Sequence, residues 1–194
     1  MIASEMSELL RWPLFHAVVV LAVAIYALNA ILIAVESGYD LWGRFVLGCL
    51  QGLGGGALRD FLIGGNRLPL SFMRDPAFIG AIAGVTLVVS VLSASRADFH
   101  RSAAFQRTKK YADICGFAAL ATVGACIGVA AGVAWFWVPV FAALSSAGGG
   151  ALRDIAVMKA PTTFRGVIFE EVAAFGGLVL LAAIHVEDRK STRL

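Results

Sequence analysis

The chain has 194 residues, of which 59% are hydrophobic and only 15% charged, with a formal net charge of +3. Its mean hydropathy is +0.83. This balance excludes an ordinary soluble domain, and with the basic residues spread over loops it also excludes an electrostatic nucleic-acid binder; an integral membrane protein is expected.

Six segments reach or approach the ~20 residues that a spanning helix needs. The first, Pro13 to Val35, follows a leader in which Glu5 and Glu8 oppose Arg11. It is too long for the apolar core of a secretory signal and no small-x-small site follows it, so it is expected to stay as a helix. The second runs from Trp42 to Ile63 and the third from Pro76 to Ser95. After a basic loop come Tyr111 to Ala131, Phe136 to Met158 and Gly166 to His185, then a polar tail over residues 186–194. None of these runs alternates with period two, so an all-α protein is predicted rather than a barrel.

The loop from Arg96 to Lys110 holds Arg96, Arg101, Arg107, Lys109 and Lys110, the densest basic cluster in the chain. The positive-inside rule makes that loop cytoplasmic and puts the N-terminus outside. Loops on the same side add Arg44, Lys159 and Arg165, against Arg11, Arg67, Arg74, Arg189, Lys190 and Arg193 on the other. Cys49, Cys115 and Cys126 fall within spans and, like His16, His100 and His185, have no metal-ligand spacing. No metal or cofactor is expected.

The heptapeptide GGGALRD occurs twice, as Gly54 to Asp60 and as Gly148 to Asp154. Each copy lies in the middle member of a three-span group and precedes a loop, with Pro69 and Phe72 in the first and Pro161 and Phe164 in the second. The next span carries paired small residues, Ala83-Gly84 and Gly176-Gly177. The chain is therefore expected to be duplicated, residues 13–95 against 111–185. Three crossings per copy is an odd number, so the copies enter the membrane from opposite faces as an inverted repeat.

Gly54, Gly55 and Gly56, with Gly148, Gly149 and Gly150, lie near mid-span. Glycine is a poor helix residue, at about 1 kcal/mol relative to alanine, so a kink or break is expected at each triplet. Carbonyls released there would suit a partly dehydrated cation. The competing reading is close helix packing, since Gly48, Gly52 and Gly56, Gly80 and Gly84, and Gly124, Gly128 and Gly132 recur at spacing four.

Charges about one turn past each triplet, Arg59 and Asp60 in the first copy and Arg153 and Asp154 in the second, must pair or face water at that depth. Pseudo-twofold symmetry predicts Arg59 with Asp154 and Arg153 with Asp60, tying the halves together; local pairing or snorkelling is the alternative. Gln51, Thr122, Ser145 and Ser146 are the remaining intramembrane candidates for lining a path, although a serine in a helix also bonds its own backbone. Asp113, Glu170 and Glu171 sit near helix ends, where interfacial roles are expected.

One decoy is rejected. Gly52 to Ala57 matches the G-x-G-x-x-A dinucleotide fingerprint, but it lies inside a spanning segment instead of between a strand and a soluble helix. Without a nucleophile–base pair, metal cluster or phosphate loop, no enzyme is expected.

With the repeated GGGALRD, the three-plus-three organisation, and Asp113, Gly116, Ala121 and Gly124 in the fourth span, the chain resembles the prokaryotic members of the trimeric intracellular cation channel (TRIC) family. Their domain also carries the label glycine transporter. The resemblance implies a homotrimer among membrane lipids in a prokaryotic plasma membrane. It also implies a potassium-permeable path through each protomer, framed by the glycines at 54–56 and 148–150. A secondary transporter for a small zwitterion such as glycine is the alternative. The chain departs from the family in ending in a polar tail where a seventh helix is usual, and in having Val19 and Ala22 where Asp113 and Gly116 have their equivalents.

Overall fold

The computed structural model describes residues 2–65, 70–94, 102–161 and 169–191. Among them lie seven helices and no strand: α1 (Ile2–Leu9), α2 (Pro13–Glu36), α3 (Leu41–Ile63), α4 (Pro76–Ala94), α5 (Ala103–Ala130), α6 (Trp137–Ala156) and α7 (Phe169–Ser191), with a 3-10 turn at Ser71–Arg74. Helices α2 to α7 are the six predicted spans. Three of them, α2, α4 and α5, are long and apolar enough to cross a membrane by length and composition. In α3 and α6 the glycines and charges of the repeated motif dilute the hydropathy.

Local chemistry sets the boundaries. Pro13 opens α2 at a position where its missing N–H costs nothing. The helix stops where Gly38 turns to φ +73, and Tyr39 N–H closes back on Ala34 O at 2.9 Å. Asp40 then caps α3, its carboxylate accepting from Gly43 N–H at 2.8 Å.

Two boundaries differ from expectation. Ser102 caps α5 by accepting from Phe105 N–H at 3.1 Å, so the helix starts at Ala103 and carries Arg107, Lys109 and Lys110 on its first turns. The run of good helix formers around those basic residues explains the extension. At the other end, α7 continues to Ser191, through most of the segment read as a polar tail. Helix α1 was not expected; it packs against α5. Arg67, Pro69, Arg96, Arg101, Phe164, Arg165 and Arg193 lie outside the described residues, as do the side chains of Glu170 and Glu171.

The centre is a four-helix arrangement of α2, α3, α5 and α6. Helix α4 flanks it against α2 and α3, and α7 flanks it against α6 and α5. Tyr26, Ile31, Ile82 and Val138 are fully buried between these elements. The outer face of α4 instead presents Ile79, Leu87, Val88, Val91 and Leu92. A helix apolar on its exposed face is stable in lipid and costly in water, which agrees with an integral membrane protein.

The start of α4 is clasped to the start of α2. Asp75 accepts from Ala77 N–H at 2.8 Å and bonds His16 Nε2 through its other oxygen. The Ala77 amide, and then His16, hold the Asp75 carboxyl below its ordinary range. A folded-state pKa below the unfolded value gives stability that is complete above the usual carboxylate pKa of about 3.9 and is lost as pH falls through the lowered value. Asp75→Asn is therefore expected to flatten the decline of melting temperature below about pH 4, measured by a thermal titration in detergent.

Candidate functional site at the crossing of the two GGGALRD helices

The helical ladder of α3 runs unbroken through Gly54, Gly55 and Gly56, and that of α6 through Gly148, Gly149 and Gly150. The described glycines with positive φ are Gly38, Gly64, Gly65 and Gly132, all outside these triplets. Both triplets therefore lie within continuous helix, without unwinding into non-helical backbone. What the glycines provide is contact. A Cβ on Gly55 would stand 2.7 Å from Leu144 O, closer still to Ser145 O, and one on Gly149 would overlap the carbonyl of Gln51. Gly148 would meet Gly55 Cα at 3.2 Å. Without side chains the two backbones touch, and the dispersion gained offsets the poor propensity of glycine.

Pairing of residue 55 with 145 and of 149 with 51 means that α3 and α6 run antiparallel at the contact. It also has an internal equivalence. A shift of 94 residues carries Gly54 to Gly148, Gln51 to Ser145 and Arg59 to Arg153. Arg59 Nη1 donates to Ser145 Oγ at 3.1 Å, and Arg153 Nη1 donates to Gln51 Oε1 at 2.8 Å, so each arginine reaches the equivalent station on the opposite helix.

The acidic partners are local. Arg59 donates to Asp60 Oδ1 through Nε at 2.9 Å and Nη2 at 2.7 Å. Arg153 Nε donates to Asp154 Oδ1 at 2.7 Å. Each guanidinium closes on the aspartate beside it, the local pairing that stood as the alternative to the cross-pairing suggested by symmetry. Neighbouring residues on a helix do not ordinarily face one another. Here the long arginine side chain folds back, because both groups are nine-tenths or more buried and neither has water to turn to.

Arg153 has further partners. Its Nη1 also donates to Asn29 Oδ1 at 2.7 Å and lies 3.8 Å from Asp113 Oδ1. Gln51 Nε2 reaches Asp113 Oδ1 at 3.4 Å, and Asn29 Nδ2 donates to Lys109 O at 2.9 Å. Tyr26 OH donates to Ser146 O at 2.8 Å. Ser145 and Ser146 also bond their own helix, at Phe141 O (2.6 Å) and Ala142 O (3.0 Å). Thr122 stands apart. It bonds Ala118 O at 3.0 Å and faces an apolar groove of about 310 Å³ between α5 and α7, away from the crossing.

The crossing thus gathers Gln51, Arg59, Asp60, Ser145, Ser146, Arg153 and Asp154 from the predicted set. It adds Tyr26 and Asn29, which sequence reasoning passed over, and Asp113, which it had assigned to an interface. Their signal was present: Tyr26 and Asn29 are three apart in the otherwise apolar stretch of α2 between His16 and Glu36, hence on one face.

The family model described as glycine transporter matches residues 16–94 and 110–185, most of the chain. The chain belongs to the glycine transporter family. A UPF0126 membrane protein of Deinococcus radiodurans is 33% identical over 174 residues, covering 88% of this chain and 77% of that relative. The UPF0126 membrane protein YvgT of Bacillus subtilis is 29% identical over 171 residues, covering 88% of this chain and 80% of the relative. Among solved structures, the TRIC trimeric intracellular cation channel orthologue from Rhodobacter sphaeroides superimposes with a TM-score of 0.75 at 23% identity, covering 86% of this chain and 81% of that one. This member of the glycine transporter family accordingly has the TRIC channel fold and is an integral membrane protein.

Proposed function

We propose that the protein is a monovalent-cation channel, permeable to potassium, with a path through each protomer past the α3–α6 crossing. One observation carries the reading. Polar groups, all buried except the half-exposed Asp113, form a strip that leads from Asp113 through Arg153, Gln51, Tyr26 and Ser146 to Ser145, Arg59 and Asp60. Polar side chains in a membrane are costly, and a strip of them from one end of a helix crossing to the other is what a cation path requires.

The fold likeness to TRIC channels supports this reading, and a homotrimer follows from the same likeness. The inverted repeat is supported by the 94-residue equivalence of contacts. A prokaryotic plasma-membrane location rests on the family likeness, and the N-terminus outside with residues 96–110 cytoplasmic rests on the charge distribution. Because α3 and α6 do not unwind, side-chain oxygens take the coordinating role expected of glycine carbonyls.

The family description favours a second reading, carriage of a small zwitterion such as glycine. It needs a free half-helix N-terminus or a free arginine for the carboxylate. Continuous α3 and α6 give no half-helix end, and Arg153 already donates to Asp154, Asn29 and Gln51. In planar bilayers the purified protein is expected to give unitary potassium currents. Saturable glycine uptake by liposomes without unitary currents would sink the channel reading.

A further inference from the structure

The 94-residue shift that matches the two motifs also matches the surroundings of the two arginines, and those surroundings are chemically opposite. Around Arg153 stand Asp113, Tyr26, Asn29 and Gln51. The stations related to them by the shift are Val19, Leu120, Val123 and Ser145. All four line one cavity of about 70 Å³ together with Arg59 and Asp60. Equivalent positions in the two halves have thus been filled with acceptors on one side and with aliphatic groups or a small hydroxyl on the other.

The acceptors converge. Asn29 Oδ1, Gln51 Oε1, Asp113 Oδ1 and Asp154 Oδ1 lie 2.7, 2.8, 3.8 and 2.7 Å from nitrogens of one guanidinium. Each comes from a different central helix: α2, α3, α5 and α6 in turn. Two amide carbonyls and two carboxylates make a hard-oxygen ligand set, and against a single guanidinium they carry a formal surplus of negative charge. Around Arg59, which donates to Asp60 and Ser145, the shift-related stations are aliphatic at Val19, Leu120 and Val123.

We propose that the guanidinium of Arg153 is a tethered cation seated in a monovalent-cation site, built from one oxygen of each of the four central helices. Building on the permeation reading above, a passing cation takes this seat only when the arginine leaves it. Nothing covalent changes; the four oxygens exchange one monocation for another. The stations around Arg59 that the shift relates to Asp113, Asn29 and Gln51 hold Val19, Val123 and Ser145, so the Arg59 position is expected to lack this function.

The test is binding, read separately from flux. Arg153→Gln is expected to gain a saturable rise in melting temperature with KCl over N-methyl-D-glucamine chloride at equal ionic strength, and adding Asp113→Asn should abolish that gain. Arg59→Gln should show no gain. An equal response in Arg153→Gln and Arg59→Gln, or none in either, overturns the proposal. If Arg153→Gln is recovered folded only when potassium or guanidinium is supplied, the empty seat has been refilled and the proposal stands. Failure to fold in any of these salts overturns it. Flux of the wild-type protein in potassium-loaded liposomes is measured in parallel. Binding without flux retains the site and removes the channel; flux without the binding difference retains the channel and removes the site.

Discussion

Gly149→Ala is expected to prevent α3 and α6 from packing, so that the purified protein fails to give a cooperative melt. The added methyl would overlap the Gln51 carbonyl oxygen and come within 3.0 Å of its carbonyl carbon. That obstacle is helix backbone, which cannot rotate away as a side chain can. Overpacking in a core ordinarily costs about 1–3 kcal/mol, and a rigid obstacle belongs at or above the upper end. Gly55→Ala meets the carbonyls of Ser145 and Leu144 and should behave in the same way. Gly56→Ala is the control: the nearest atom to its Cβ is Arg59 Nη2 at 3.7 Å, so helix propensity gives a neutral or slightly stabilising change. If Gly149→Ala melted at the wild-type temperature while conduction vanished, the glycines would be permeation elements and not a packing seam.

The triplet shows where sequence reasoning reaches its limit. Its duplication located the crossing, because identical residues in two membrane spans require a shared cause. It did not distinguish a helix break from a helix contact, since a missing Cβ permits both. The choice is made by what lies opposite, here the carbonyls of Gln51, Leu144 and Ser145, and facing partners are not written in a local sequence. The spans themselves were legible from apolar length, and α2 and α4 end within about a residue of expectation. Helix α5 began eight residues early, because a run of lysines and arginines looks like a loop by hydropathy and like a helix by propensity.

Charge pairing was harder to read. Symmetry suggested that each arginine reaches an aspartate of the other half, whereas across the crossing Arg59 meets Ser145 and Arg153 meets Gln51. A folded-back arginine satisfies its neighbour over a shorter path and leaves Nη1 free to reach the other helix. The asymmetry of the two sites was visible only in part. Val19 opposite Asp113 was seen to diverge, whereas Tyr26 against Leu120 and Asn29 against Val123 have meaning only once all of them are known to surround an arginine.

Asp154→Ala should be the most damaging change to the polar strip. Removing one member of a buried ion pair costs about 3–5 kcal/mol, because the remaining charge has neither its partner nor water. Arg153 would retain Asn29 and Gln51, both neutral, and, among the described residues, Asp113 as its one carboxylate within 4 Å. The two acidic residues should therefore be coupled. Asp113→Asn alone is expected to be mild, since its oxygen is 3.8 Å away and its side chain is 36% exposed. In the double variant the guanidinium loses both carboxylates, and the loss should exceed the sum of the single effects by about 0.5–3 kcal/mol. Reversible unfolding in mixed micelles, run as a double-mutant cycle, measures that excess. An additive result would mean that Asp113 faces the solvent and takes no part in holding Arg153, and the oxygen cage would then have three walls in place of four.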